Sequence, residues 1–367
     1  MKLRWKALLA AVLASVTSGA STNTNAINCR PNTTSSVIAI ANLDQQISQL
    51  RKDAGVEELL LVRSRFLGDY DALDRASSLS ERRFATSREL LLRARTRSAV
   101  HRFADALADL EAAERAGANP DEVEPFRASI LVAIGRAADA IPLLEQGLVS
   151  NPGFASRSAL AGAYAALGRL ADADRLYVEA LGDLDTTLPF PYAWIHFARG
   201  LMWVEQGRDQ VRGEALYRQA LTYVPEFVAA NIHLAELEIA RGDIQSAMPR
   251  LERVVQLSNE PEAAALLGTL YMRTGDTSRG SHEVEIARRR YDWLLARYPL
   301  AFADHASEFY LGPGADPKRA WILAQQNLVN RQTERAAALA IKSAEASGHH
   351  REARALLETY PNLAGSN

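Results

Sequence analysis

Between Val228 and Pro261 the chain reads VAANIHLAELEIARGDIQSAMPRLERVVQLSNEP, and its apolar positions fall into two stripes. Ile232, Ala235 and Ile239 form the first. Ala247, Leu251 and Val254–Val255 form the second, again at the three- and four-residue spacing of one helix face. Gly242 between them suits a helix end that needs a left-handed residue, and Asp243 is a good N-cap for the next helix. Alone, such a hairpin leaves an apolar face in water, so the pattern predicts that another hairpin stacks on it.

The small residue of the second helix recurs. Ala72, Ala106, Ala140, Ala173, Gly213, Ala247, Gly280, Ala320 and Ala353 follow one another at steps of 34, 34, 33, 40, 34, 33, 40 and 33 residues. A period near 34 marks a solenoid of helix–turn–helix units. The small side chain lets two helices cross closely. A bulkier residue four positions on fills the next gap in most repeats: Leu110, Leu144, Tyr177, Tyr217, Leu251, Val284 and Leu357, with alanine at Ala76 and Ala324.

These residues resemble the tetratricopeptide repeat, whose pattern is Trp-x2-Leu-Gly-x2-Tyr, then Ala-x3-Phe, then Pro. One repeat carries Leu267, Gly268, Tyr271 and Gly275; another carries Leu160, Ala161, Tyr164 and Gly168, then Ala173 and Tyr177. Prolines stand at Pro120, Pro152, Pro225 and Pro261, while Arg93 and Ser307 depart from the pattern near the two ends. The resemblance covers roughly residues 53 to 361 and implies an all-α, right-handed solenoid of eight to nine hairpins. With a capping helix from about Val37 to Lys52, the expected solenoid spans 37–362, followed by a loose tail at 363–367. Leu181 to Pro191, with Pro189 and Pro191, and a long helix from about Ser281 to Arg297 are expected to interrupt the regular stacking.

Residues 1–20 run from a basic start (Lys2, Arg4, Lys6) through the apolar stretch Ala7–Val16 to Ser18-Gly19-Ala20, the order of a cleaved secretory signal. That apolar run is too short to span a bilayer, so a periplasmic or secreted chain without an integral membrane segment is expected. Residues 21–36, rich in Ser, Thr and Asn, are expected to be a disordered linker. The single cysteine, Cys29, excludes an intrachain disulfide, and the preceding Ala26-Ile27-Asn28 is a poor match to a lipoprotein signal. Losing the three basic residues of the leader moves the formal charge from −2 to −5, which argues against a general nucleic-acid role.

No catalytic, metal or cofactor constellation emerges. His305 and Glu308 share a helix face but lack the second histidine of a zinc-protease motif, and read as a surface pair facing a groove. Asp69, Asp71 and Asp74 lack the glycine and distal glutamate of a calcium loop and read as helix caps. The tetratricopeptide resemblance implies that the first helix of each hairpin lines a concave surface. On that frame Trp194, Phe197, Leu201 and Val204 point inward from one hairpin, Ala229, Ile232, Glu236 and Ile239 from the next, and Glu262, Thr269, Met272 and Arg273 from the third. A partner-binding groove is therefore expected at Trp194, Phe197, Leu201, Ile232, Glu236, Met272 and Arg273. The competing reading packs Trp194 and Phe197 against the Pro189–Pro191 connection. Trp203 reads as core. The function implied is a non-catalytic scaffold holding an unidentified polypeptide; an assembly factor of an envelope secretion or polysaccharide-export complex is the alternative.

Overall fold

The computed structural model describes residues 32–50, 55–82 and 85–363; the signal-like leader, Cys29 and the tail from residue 364 lie outside them. Among the described residues nineteen α-helices and a short 3-10 turn (Pro361–Leu363) follow one another, with no strand. A single helix, α1 (Ser36–Leu50), precedes nine hairpins. The first three are α2 (Val56–Leu67) with α3 (Tyr70–Ser80), α4 (Ser87–Ala99) with α5 (Phe103–Arg115), and α6 (Pro120–Ala133) with α7 (Ala137–Ser150). Next come α8 (Phe154–Ala166) with α9 (Leu170–Gly182), α10 (Pro189–Glu205) with α11 (Gln210–Tyr223), and α12 (Val228–Arg241) with α13 (Ile244–Leu257). The last are α14 (Pro261–Arg273) with α15 (Thr277–Arg297), α16 (Pro299–Leu311) with α17 (Pro317–Asn330), and α18 (Glu334–Ala346) with α19 (His350–Thr359).

The local chemistry repeats with the hairpins. Aspartates cap second helices by accepting a hydrogen bond from the backbone three residues on: Asp69 from Ala72 (2.9 Å), Asp209 from Arg212 (2.9 Å) and Asp243 from Ser246 (3.2 Å). Gly242 takes the expected left-handed conformation, φ +84°. All nine recurring small residues are buried. Where glycine replaces alanine the backbones touch: a Cβ on Gly280 would stand 2.8 Å from the carbonyl oxygen of Gly268. The two 40-residue steps have different origins. One comes with the connection between α9 and α10, where Pro189 starts the helix that follows; the other with the 21-residue α15. The end of the expected linker is tied down, because the Thr34 amide donates to the Thr187 carbonyl at 2.8 Å.

The solenoid closes on itself along one seam. Turns inside the early hairpins meet turns between the late ones, at separations of 189 to 229 residues, or about six repeats of period 34. Phe66, at the end of α2, packs on Phe190 and Phe227 with ring centroids 4.9 and 4.6 Å away. The Tyr70 amide donates to Asn259 Oδ1 at 3.0 Å and its hydroxyl to Glu260. Tyr298 donates to Asp74 at 2.8 Å. His101 Nδ1 donates to the Leu300 carbonyl at 3.1 Å, while Asn330 Nδ2 donates to the His101 carbonyl at 3.0 Å. The Gln332 amide donates to Ile134 at 3.2 Å, and Arg331 Nε to Ala133 at 3.1 Å. His101 holds φ +58°, a conformation uncommon outside glycine, and its two seam hydrogen bonds offset that strain.

Candidate functional site

Closure of the seam decides where the expected groove residues lie. Trp194, Phe197, Leu201 and Ile232 are all buried, so none of them forms an exposed apolar wall. Trp194 is covered by Phe154 and Tyr177 of the preceding hairpin, at centroid distances of 6.0 and 6.3 Å. Phe197 packs on Tyr217, His233 and Phe227, and Phe227 is in turn covered by Phe66 from across the seam. Phe190 of the Pro189–Pro191 stretch belongs to the same core cluster as Trp194 and Phe197, and the connection before α10 is anchored by Tyr192, whose hydroxyl reaches the carbonyls of Leu184 (3.3 Å) and Thr186 (3.2 Å). Met272 is 39% exposed and Arg273 is exposed, both in the last turn of α14. Trp203 is half-buried rather than core: its Nε1 donates to Asp174 at 3.0 Å and the Arg212 guanidinium lies 3.8 Å above its ring.

Glu236 leads to a different site. Four charged side chains from separate first helices form a linked set: Glu205 at the end of α10, Glu236 in α12, Glu308 in α16 and Arg335 in α18. Arg335 Nη1 is 3.5 Å from Glu205 Oε1, and its Nη2 is 3.6 Å from Glu308 Oε1. Their side chains keep only 13–27% of their surface open, so solvent reaches them inside a largely protein environment. Burial pushes Glu205 up to about 8 against the pull of Arg335, Glu236 up to about 8, and Glu308 up to about 7. Against its own desolvation, Arg335 is held above its ordinary value by Glu205, Glu308, Asp304 and Glu262.

A second layer adjoins this set. Asp304, His305 and Arg331 are buried; Arg331 Nη1 stands 3.5 Å from Asp304 and His305 Nδ1 3.9 Å from Glu262. Burial alone would raise Asp304, but His305, Arg331, Arg335 and His101 hold it well below the usual carboxylate range. The seam and the interior charges are thus coupled through Arg331, which bonds a carbonyl of the third hairpin and also pairs with Asp304.

The sequence frame brought Glu236 to this interior and missed Glu205, Arg335 and Arg331. It placed His305 and Glu308 together but on the surface, whereas His305 is buried and Glu308 bridges to Arg335. The available signal was a carboxylate inside an otherwise apolar first helix, as in Leu234-Ala235-Glu236-Leu237 and Ala303-Asp304-His305-Ala306. Asp69 is a cap, as read, while Asp74 serves the seam. Among the described residues no group of His, Cys, Asp or Glu is arranged to hold a metal ion, and no helix is long and apolar enough to cross a membrane.

The tetratricopeptide repeat family model matches residues 211–270, from the start of α11 into α14. Residues 211–270 thus carry tetratricopeptide repeats, and the described residues form an all-α solenoid of stacked helical hairpins. A tetratricopeptide repeat protein from Parabacteroides merdae aligns at 17% identity and a TM-score of 0.42, over 70% of this chain and 98% of its own. The APC/C hetero-tetramer Cut9–Hcn1 aligns at 16% and 0.47, over 87% of this chain and 66% of its own. A human IFIT1 dimer with PPP-AAAA aligns at 13% and 0.46, over 90% and 84%. Comparison with curated proteins finds no match.

Proposed function

We propose that this chain is an exported, non-catalytic scaffold that holds a partner polypeptide at the charged interior of its solenoid. Export rests on the basic, apolar and small-residue order of residues 1–20. The observation that carries the binding role is the set of Glu205, Glu236, Glu308 and Arg335, contributed by four hairpins and still reached by solvent. Three desolvated carboxylates sharing one arginine lower the stability of a fold that apolar residues would hold better. Such local costs are expected where a surface is kept for binding. The cluster supplies acceptors and a cation without an activated nucleophile, which supports binding over catalysis. Solenoids of this kind use their concave surface for partners.

A photo-crosslinking side chain placed at Met272, at Arg273 and, on the second helix α11, at Val211, which is 83% exposed, tests the reading in intact cells. One defined polypeptide adduct from Met272 or Arg273 but not from Val211 is expected, on exported protein. Adducts from Val211 alone, or a chain found only in the cytoplasm, would contradict it.

A further inference from the structure

We propose that the cleft between α11, α12 and α13 is a binding site for a free apolar α-amino acid, whose carboxylate meets Arg253 and whose ammonium meets Glu226. The cleft has a volume of about 210 Å³. Its apolar walls come from Leu221 of α11, Val228 of α12, and Val254 and Leu257 of α13. Val228 and Val254 are buried, while Leu257 and Arg253 are exposed, so the cleft opens to solvent beside α13. An apolar cavity of about 150 Å³ accepts a benzene ring, so a leucine or phenylalanine side chain fits here.

Four polar side chains also line the cleft, and two of them are satisfied within the protein. Arg250 donates to Glu238 from Nε and Nη2 (3.0 and 2.9 Å) and to Asn231 Oδ1 from Nη1 (3.1 Å). Asn231 Nδ2 donates in turn to the carbonyls of Pro225 (2.9 Å) and Phe227 (3.0 Å). Glu226 and Arg253 differ, since neither makes a hydrogen bond or ion pair with any described residue. They carry opposite charges and line one cleft, yet no ion pair within 4.0 Å joins them. Of the two Glu226 oxygens only Oε2 is enclosed, which leaves Oε1 for a ligand. An anion and a cation held apart in an apolar cleft match a ligand with the same three parts. A guanidinium takes a carboxylate through two parallel N–H donors, and an ammonium donates to a carboxylate oxygen. A simple carboxylate would leave Glu226 without a partner, and a simple amine would leave Arg253 without one. A residue inside a polypeptide carries neither charge on its backbone. None of the lining residues belongs to the interior cluster, so the site does not rest on the scaffold reading.

Saturation-transfer NMR titrations of the purified chain test this by removing one part of the ligand at a time. L-leucine and L-phenylalanine should bind. N-acetyl-leucine lacks the cation, leucinamide lacks the anion and glycine lacks the apolar body; each should bind roughly tenfold more weakly or not at all. Arg253→Gln and Glu226→Gln should each weaken leucine binding by roughly tenfold. Both variants should melt as the parent does, because neither side chain bonds to another described residue. No binding of leucine, equal binding of N-acetyl-leucine or leucinamide, or unchanged affinity in both variants would overturn the site. Crosslinking from Met272 or Arg273 is unaffected by that result and reports on the scaffold reading alone.

Discussion

Gly135 and Gln332, 197 residues apart by position, meet so closely that a Cβ on Gly135 would stand 2.3 Å from the Gln332 carbonyl oxygen. Gly135 also holds φ +93°, where any other residue is strained. Both constraints act at the seam, so Gly135→Ala should cost roughly 1–3 kcal/mol and act on the contact between early and late hairpins. Urea unfolding checks the magnitude. Hydrogen exchange at the Gln332 amide checks the place, since that amide donates to Ile134. Gly242 has a similar φ and nothing within 4 Å of its Cβ position, so Gly242→Ala should cost less and leave Gln332 protected.

The recurring small residue sets the distance between paired helices. Ala247 is fully buried between Leu251 and the apolar face of α12. Ala247→Leu should overpack the hairpin and lower stability by roughly 1–3 kcal/mol, measured by thermal or urea unfolding. An unchanged midpoint would mean that the α12–α13 crossing does not depend on the small side chain.

Trp194 and Phe197 act as core residues in this structure. Trp194→Ala and Phe197→Ala should each lower stability by about 3–5 kcal/mol, the range of large-to-small aromatic changes in cores. Calorimetric melting of both variants would show it. Variants that lose partner capture while keeping the parent melting temperature would restore these two residues to an exposed groove.

The period, the caps and the small-residue crossings were legible in the sequence because each is local: Asp243 caps Ser246 and Ala247 meets its own hairpin partner. The seam was not. His101 with Leu300 and Gly135 with Gln332 join turns that no short-range pattern relates. The helix frame marked Trp194 as a groove residue, but a position on a helix face does not mean exposure once Phe154 and Tyr177 of the preceding hairpin close over it. Glu205 and Arg335 escaped notice for a related reason. A charged residue on a helix face looks solvated in sequence, and only closure of the solenoid brings these two together across 130 residues.

Stability should depend on pH in a direction set by the interior carboxylates. Glu205 and Glu236 are raised to about 8 and Glu308 to about 7 from an ordinary value of 4.5. Between those values the folded chain holds protons that the unfolded chain has released, so stability falls as pH rises. The groups facing Glu205 are Glu236, Glu308, Arg335, Arg331 and Tyr217; the two arginines stay charged throughout, and the hydroxyl stays protonated. His196, lowered by burial to about 4, opposes the trend below 6.5. Melting temperature should therefore fall from pH 6.5 to 8.5, with a slope of at most roughly 1.4 kcal/mol per pH unit for each proton. Glu205→Gln should flatten that slope and raise the melting temperature at pH 8.5. A melting temperature that climbs over the same range would contradict the assignment of these carboxylates.

Closure of the solenoid is the claim on which the buried aromatics and the interior cluster both depend. Spin labels on cysteines replacing Arg136 and Glu334, both exposed and flanking the Gly135–Gln332 contact, report it directly in a chain with Cys29 changed to serine. Pulsed dipolar spectroscopy should give one narrow distribution at the short limit of the method. A broad or long distribution would show an open solenoid, with hairpins three and nine apart and no shared interior for Glu205 and Arg335.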